Sequence, residues 1–134
     1  MSFFETIDVA STGLSAQRIR INVISSNMAN ANTTRTQDGG PYRKKNVIFK
    51  EVLAGVHKGG VKVEKIIPDF KPPQLRYQPG HPDANEEGYV AYPNINPIEE
   101  MVNMLEAARS YEANVTIVNT AKQLAQQAIG IGQN

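Results

Sequence analysis

The chain has 134 residues, 40% of them hydrophobic and 20% charged, with a net charge of +1 and neither cysteine nor tryptophan. That is one domain's worth of protein with a modest core. The absence of cysteine excludes disulfide frameworks, thiolate zinc sites and cysteine nucleophiles, and the near-neutral balance gives no global case for nucleic-acid or membrane binding.

The N-terminus carries the first element. Ile7, Leu14, Ile21 and Met28 recur at heptad spacing, and Phe3, Ala10, Ile24 and Ala31 fall on a second seam interrupted only by Gln17. Such an a/d pattern predicts a long helix, from Ser2 to Thr33, with one seam pressed on another helix. Ser2 and Glu5 supply an S-x-x-E capping box at its start. The other face is small and polar, with Asp8, Ser11, Ser15, Asn22 and Ser25. It is either solvated or suited to close approach of a neighbouring backbone. Gly13 lies mid-helix at a cost of roughly 1 kcal/mol relative to Ala, so the isolated helix is expected to be marginal. The Asn-, Ser- and Thr-rich stretch Ser25 to Thr34 weakens it further, because these side chains compete for backbone hydrogen bonds.

Asp38-Gly39-Gly40-Pro41 marks a turn, after which the period changes. Val47 to Leu53 predicts a strand, Gly59-Gly60 a turn, and Val61-Lys62-Val63-Glu64 a second strand, together a hairpin. Five prolines make Ile67 to Ala84 mostly extended or irregular, with Leu75-Arg76-Tyr77 a candidate edge strand. Tyr89-Val90-Ala91-Tyr92 is the last short strand. A body of about sixty residues buries little core alone and is expected to lean on the helices.

Asn96-Pro97-Ile98-Glu99 opens the second helix, with Asn at the cap, Pro at the first helical position and Glu at the third. Its apolar residues, among them Met101, Leu105, Ala108, Val115 and Ala125, keep a spacing of three and four until Gly130 and Gly132 end the element. The expected architecture is therefore mainly α with a small β-rich insert. Residues 1–33 and 96–134 pair as a coiled coil, and residues 34–95 form a small β-rich domain between them. Each helix runs on the order of 45–50 Å at 1.5 Å per residue. The expected seam sets Ile7, Leu14, Ile21 and Met28 against Leu105, Ala108, Val115 and Ala125. Met104, Tyr111, Val118, Ile19 and Val23 widen the apolar stripes beyond what two helices need. Either the β-rich body or further helices cover that surplus.

Charge is segregated. Arg43, Lys44, Lys45, Lys50, Lys58, Lys62 and Lys65 face only Glu51 and Glu64 in their stretch, whereas Tyr77 to Ala108 holds acids and no Lys or Arg. Two such surfaces are either solvated faces or suit head-to-tail contact. No active site assembles from the residues. Ser15 lacks a nucleophile elbow, the paired glycines lack a phosphate-loop Lys, and His57 and His81 share no ligand spacing. Asp83 to Gly88 imitates a calcium loop, but its twelfth position is Asn94 instead of Glu. Met1-Ser2-Phe3-Phe4 lacks a cleavable signal's basic start, so export is expected only by a route without cleavage. No run approaches a membrane span.

Two stretches carry a resemblance that patterning could not supply. Ser26-Asn27-Met28-Ala29-Asn30-Ala31-Asn32-Thr33 is similar to the N-terminal signature of the flagellar axial proteins, the rod and hook subunits, with Ser26, Asn27, Ala29, Asn30 and Thr33 as its assembly motif. The stretch from Tyr77 to Val115 resembles the proximal-rod members of that family. It carries Tyr77, Pro79, His81, Pro82, Gly88, Tyr89 and Pro93, then Glu100, Met101, Arg109, Tyr111 and Asn114. The resemblance implies a non-enzymatic building block of the basal body without cofactor or metal. It implies assembly into a helical rod that transmits torque and walls the export channel. The implied partners are proximal and distal rod proteins, an adaptor at the rod base, copies of the chain itself and the type III export apparatus. Nucleic-acid binding and membrane insertion are not implied. The implied location is the basal body, in the periplasmic space where an outer membrane is present. The alternative reading from the residues is a self-contained coiled-coil adaptor; a calcium- or metal-dependent binding protein is a third.

Overall fold

The computed structural model describes residues 2–133. Helix α1 spans Phe3–Ala29 and helix α2 spans Pro97–Gly132, with strands β1 (Lys45–Glu51), β2 (Val61–Pro68), β3 (Gln74–Tyr77) and β4 (Tyr89–Tyr92) between them. The two helix starts follow their capping chemistry. Ser2 Oγ accepts from Glu5 N at 3.2 Å while Glu5 Oε2 accepts from Ser2 N at 2.7 Å, a closed capping box. At α2, Asn96 Oδ1 accepts from Ile98 N at 3.0 Å, Pro97 opens the helix, and Glu99 and Glu100 complement its dipole.

Helix α1 stops at Ala29, short of the expected Thr33. Ser26 O accepts from Asn30 N at 3.1 Å and also from Asn30 Nδ2 at 2.9 Å, so the Asn30 side chain bonds back onto the last turn and caps it. At 1.5 Å per residue α1 is about 40 Å long and α2 about 54 Å, so the helices are less evenly matched than their patterns predict.

The helices pack antiparallel, as three cross-contacts show. Asn114 lies over Gly13, Arg20 pairs with Glu106 at 3.4 Å, and Asn27 meets Glu100 at 3.4 Å. Extending the Gly13–Asn114 register by ten residues sets Phe3 level with Leu124, so the last two turns of α2 run past α1. The buried α1 positions on this side include Ala10 and Ile24, from the second of the two apolar seams. On α2 they are Glu100, Ala107 and Ala121, in heptad register with Asn114. Leu105, expected on the seam, is instead 60% exposed, which corrects the predicted pairing. Ile7, Leu14, Ile21, Met28, Ala108, Val115 and Ala125 are half-buried flanking positions. The physical reason is size: Ala, Gly and Asn let the two backbones approach where bulkier residues would hold them apart.

Strands β1 and β2 form the expected antiparallel hairpin, with a bulge that leaves Glu64 unpaired between the Ile48–Lys65 and Phe49–Val63 pairs. The hairpin lies along α1 and makes its helix contacts there. Thr12 Oγ1 accepts from Val61 N at 3.0 Å, and His57 Nδ1 and Asp8 Oδ2 are 2.7 Å apart. Strands β3 and β4 form a second antiparallel pair joined by residues 78–88. Buried apolar residues are few: Ala10, Ala16, Ile24, Ala107 and Ala121 on the helices, and Val90, Tyr92 and Ile95 beyond β3.

Candidate functional site

Helix α1 ends where α2 begins, and the residues there form a buried polar clasp. Asn27 and Glu100 are each 1% exposed. Asn27 Oδ1 accepts from Lys45 N and from Tyr42 Oη, both at 2.9 Å, and Asn27 Nδ2 donates to Lys45 O at 2.9 Å. Its amide therefore pairs with the backbone of β1 in both directions, as a neighbouring strand would. Only a carboxamide can both donate and accept in this way. The second proton of Nδ2 points to Glu100 Oε2 at 3.4 Å.

Glu100 is matched by Lys44, whose Nζ lies 2.8 Å from Oε1 with a side chain only 16% exposed. Asn103 Nδ2 donates to the same oxygen at 3.5 Å. Burial works against the Lys44 charge, but the hydrogen bond and charge of Glu100 outweigh it, helped by Glu99 and Asp69, and hold the ammonium above its ordinary pKa. The clasp thus joins α1, β1 and α2 through groups that all have partners, the condition under which buried polar networks stabilise one arrangement.

The remaining motif residues tie the connecting loop to α1. Ser26 Oγ is 3.3 Å from Tyr42 Oη, Thr33 Oγ1 donates to Asn30 Oδ1 at 3.1 Å, and Tyr42 N donates to Thr33 O at 3.0 Å. Ala29 is exposed. Tyr42 and Lys44 are clasp partners that the sequence did not single out, Lys44 being marked only as one charge of a basic stretch. Their only linear signal was a lysine preceding a strand, and the buried carboxylate it meets is 56 residues away (100 − 44).

The signature residues of the β3–β4 loop hold its shape. Gly88 has φ +89°, and a Cβ there would come within 2.9 Å of Tyr77 Cε2 and 3.2 Å of Pro79 Cβ. Tyr77 and Tyr89 meet edge to face at 5.3 Å between centroids. His81 Nδ1 accepts from Asp83 N at 3.0 Å, and Pro93 is buried while Pro82 is exposed. Asp83 docks the loop onto the first motif's tail, accepting from Thr34 Oγ1 at 2.7 Å and pairing with Arg35 at 2.6 Å. The Thr34 hydrogen bond and the Arg35 charge, set against partial desolvation, hold its carboxyl below the usual carboxylate range.

On α2, Asn114 occupies the space over Gly13, Tyr111 is half-buried, and Met101 and Arg109 are exposed. The calcium-like run is therefore a docked turn. Among the described residues no group of three His, Cys, Asp or Glu side chains is placed to hold a metal ion, and no helix is long and apolar enough to cross a membrane.

What the chain leaves uncovered is equally specific. Its accessible surface is 9260 Å² for 14.7 kDa, against about 6,900 Å² for a compact monomer of that mass. The excess of roughly 2,300 Å² is the scale of a large protein–protein interface. The exposed large apolar side chains include Phe4, Ile98, Met101, Val102, Leu105 and Ile131. Within the seam itself, Gln17 Oε1 is buried without a hydrogen-bond partner.

Two clasp residues, Asn27 and Glu100, fall in segments that match known family models, and Tyr42, Lys44 and Lys45 lie between those segments. Residues 7–36 match the flagella basal body rod protein model, and residues 86–131 match the C-terminal model of the flagellar basal body rod FlgEFG proteins. Over 99% of its length the chain is 46% identical to the flagellar basal-body rod protein FlgC of Yersinia enterocolitica, covering all of that protein. It is 45% identical to FlgC of Borreliella burgdorferi, covering 99% of it, and 41% identical to FlgC of Bacillus subtilis, covering all of it. Asn27 lies in the first matched segment, Glu100 and Asn114 in the second. Full-length similarity at this level, with both family segments meeting in one clasp, means that the chain belongs to the FlgC family of flagellar basal-body rod proteins.

Proposed function

We propose that this chain is a structural, non-enzymatic subunit of the proximal rod in the flagellar basal body. It assembles helically with neighbouring rod proteins, passes torque along the rod and contributes to the wall of the export channel. The observation that carries the reading is the surface excess: an elongated helix pair with a core made largely of alanines, and large aliphatic side chains left outside it. Such a chain gains most of its apolar burial from neighbours. A heterologous contact that does not close on itself generates a helical array.

In this reading α1 and α2 act as a coiled-coil pair on the channel side, and the two β pairs form the outer part. The neighbours are other proximal and distal rod proteins, an adaptor at the rod base and further copies of the chain. Delivery is through the type III export apparatus. The weak helix seam, with Gly13 and an unpaired Gln17 oxygen, favours a chain that is exported unfolded, refolds around its clasp, and completes the outer turns of its helices on incorporation.

The test is Leu14→Asp in a strain whose own copy of this subunit is deleted. Leu14 is half-buried at the flank of the seam. The variant is expected to be expressed and exported but missing from purified basal bodies, with motility lost. Normal incorporation would refute packing of this face in a rod. A closed oligomer of the purified chain, with fully formed helices at micromolar concentration, would favour the adaptor reading instead.

A further inference from the structure

Among the described residues, two surfaces without a partner are complementary. The first is the face of α2 formed by Ile98, Met101, Val102 and Leu105. Their spacing of three, one and three residues places them on one side of the helix, away from the Glu100–Ala107–Asn114 side turned to α1. All four are between 51% and 73% exposed. Glu99 flanks this face and is exposed.

The second is an open groove of about 550 Å³ between α1 and the hairpin, floored by Ile19, Val23, Ile66 and Pro68 and edged by Lys45. Ile66 is 45% exposed there. The Lys45 side chain is exposed, and Lys62 and Lys65 lie on the same hairpin. The ion pair inside the clasp neutralises Lys44 and Glu100 internally, so Glu99 and Lys45 carry the local charge of opposite sign on the two surfaces.

The antiparallel register also matches their heights. Arg20 of α1 is level with Glu106 of α2 and Asn27 with Glu100, so the groove residue Val23 is level with residue 103 and Ile19 with Ala107, within about one turn of the Ile98–Leu105 face. A copy placed alongside therefore needs little axial displacement to bring one surface onto the other.

We propose that the Ile98–Leu105 face of one copy seats in the α1–β2 groove of the next copy, with Glu99 meeting Lys45 at the rim. This rests on the reading as a rod subunit. The contact is heterologous and nearly level, so successive copies follow one another around the rod axis and not along it. Charge across the rim sets register and excludes the reversed pairing.

The absence of native cysteine makes the test direct. Val102→Cys and Ile66→Cys are introduced together, intact basal bodies are isolated, and a disulfide or short bis-maleimide bridge is formed. The expected result is a ladder of multimers of this chain that neither single variant produces. An incorporated double variant that stays uncrosslinked, or that links only to a different rod protein, overturns the proposal. If the double variant fails to reach basal bodies, Glu99→Lys and Lys45→Glu decide. Each alone is expected to lose incorporation and the pair together to regain it; absence of that rescue overturns the contact. A native chain absent from basal bodies would instead refute the rod reading itself.

Discussion

Replacing Glu100 by alanine tests whether the clasp holds the two ends of the chain together. The substitution strands the Lys44 ammonium, 16% exposed, without its 2.8 Å partner and removes one acceptor from Asn27. Breaking a buried pair from one side costs about 3–5 kcal/mol. The long Lys44 stem can swing its charge toward water, which places the loss near the lower end, about 3 kcal/mol. An unfolding entropy of about 2.1 cal/mol/K per residue gives roughly 0.28 kcal/mol/K for a chain of this length, so Tm should fall by about 10 °C. Circular dichroism at 222 nm on the purified chain reads this directly.

Removing both charges with Lys44→Met and Glu100→Leu should recover most of the loss, because an apolar replacement avoids the stranded charge. The pH dependence carries the same signature. The folded-state pKa of Lys44 lies above its ordinary value of 10.5, so the pair's contribution is complete below pH 10.5 and is lost as pH rises through the raised value. That alkaline limb should shrink in Glu100→Ala. A Tm within 2 °C of the native chain, with the alkaline limb intact, would refute the clasp as a source of stability.

Gly13→Ala should not deliver the helix-propensity gain of about 1 kcal/mol, because its Cβ would lie 2.8 Å from Asn114 Nδ2; a stability gain in urea melts would show that Asn114 yields freely. Asn27→Asp removes the donor to Lys45 O and sets a second carboxylate beside Glu100. It should destabilise the chain by more than Asn27→Ala at pH 7, on the order of 3 kcal/mol or above, and equal effects would contradict the two-way pairing with β1. The Asp83 carboxyl is held below its ordinary value of 3.8. Its support for the β3–β4 loop is therefore present above pH 3.8 and lost as pH falls through the lower folded value. Amide protection factors at 78–88, corrected for the intrinsic pH dependence of exchange, should fall there in the native chain and stay constant in Asp83→Asn.

The elements were legible where local chemistry defines them. Ser2 with Glu5 and Asn96 with Pro97 start the helices in the structure as their residue types require. The hairpin, the edge strand at Leu75-Arg76-Tyr77 and the strand at Tyr89–Tyr92 are read from alternation and turn residues. Gly13, a weakness in propensity terms, is also a sequence-visible mark of close approach, which Asn114 explains. The helix seam was less legible. Periodicity marked Ile7, Leu14, Ile21 and Met28 on one seam and Ala10 and Ile24 on a second, and the chain buries Ala10 and Ile24 of the second while leaving Leu105 outside. Hydrophobic spacing marks faces, not which partner covers each one.

By itself the sequence determined the helix starts, the strand locations and the family signatures, because these depend on local backbone preferences and residue identity. The tertiary structure alone decided that Asn27 and Glu100, 73 residues apart, share one buried site, and that Lys44 supplies its counter-charge. It also decided which apolar residues stay outside. Those outcomes depend on antiparallel register and on the closeness that small side chains permit, and neither is written in the spacing of any single segment.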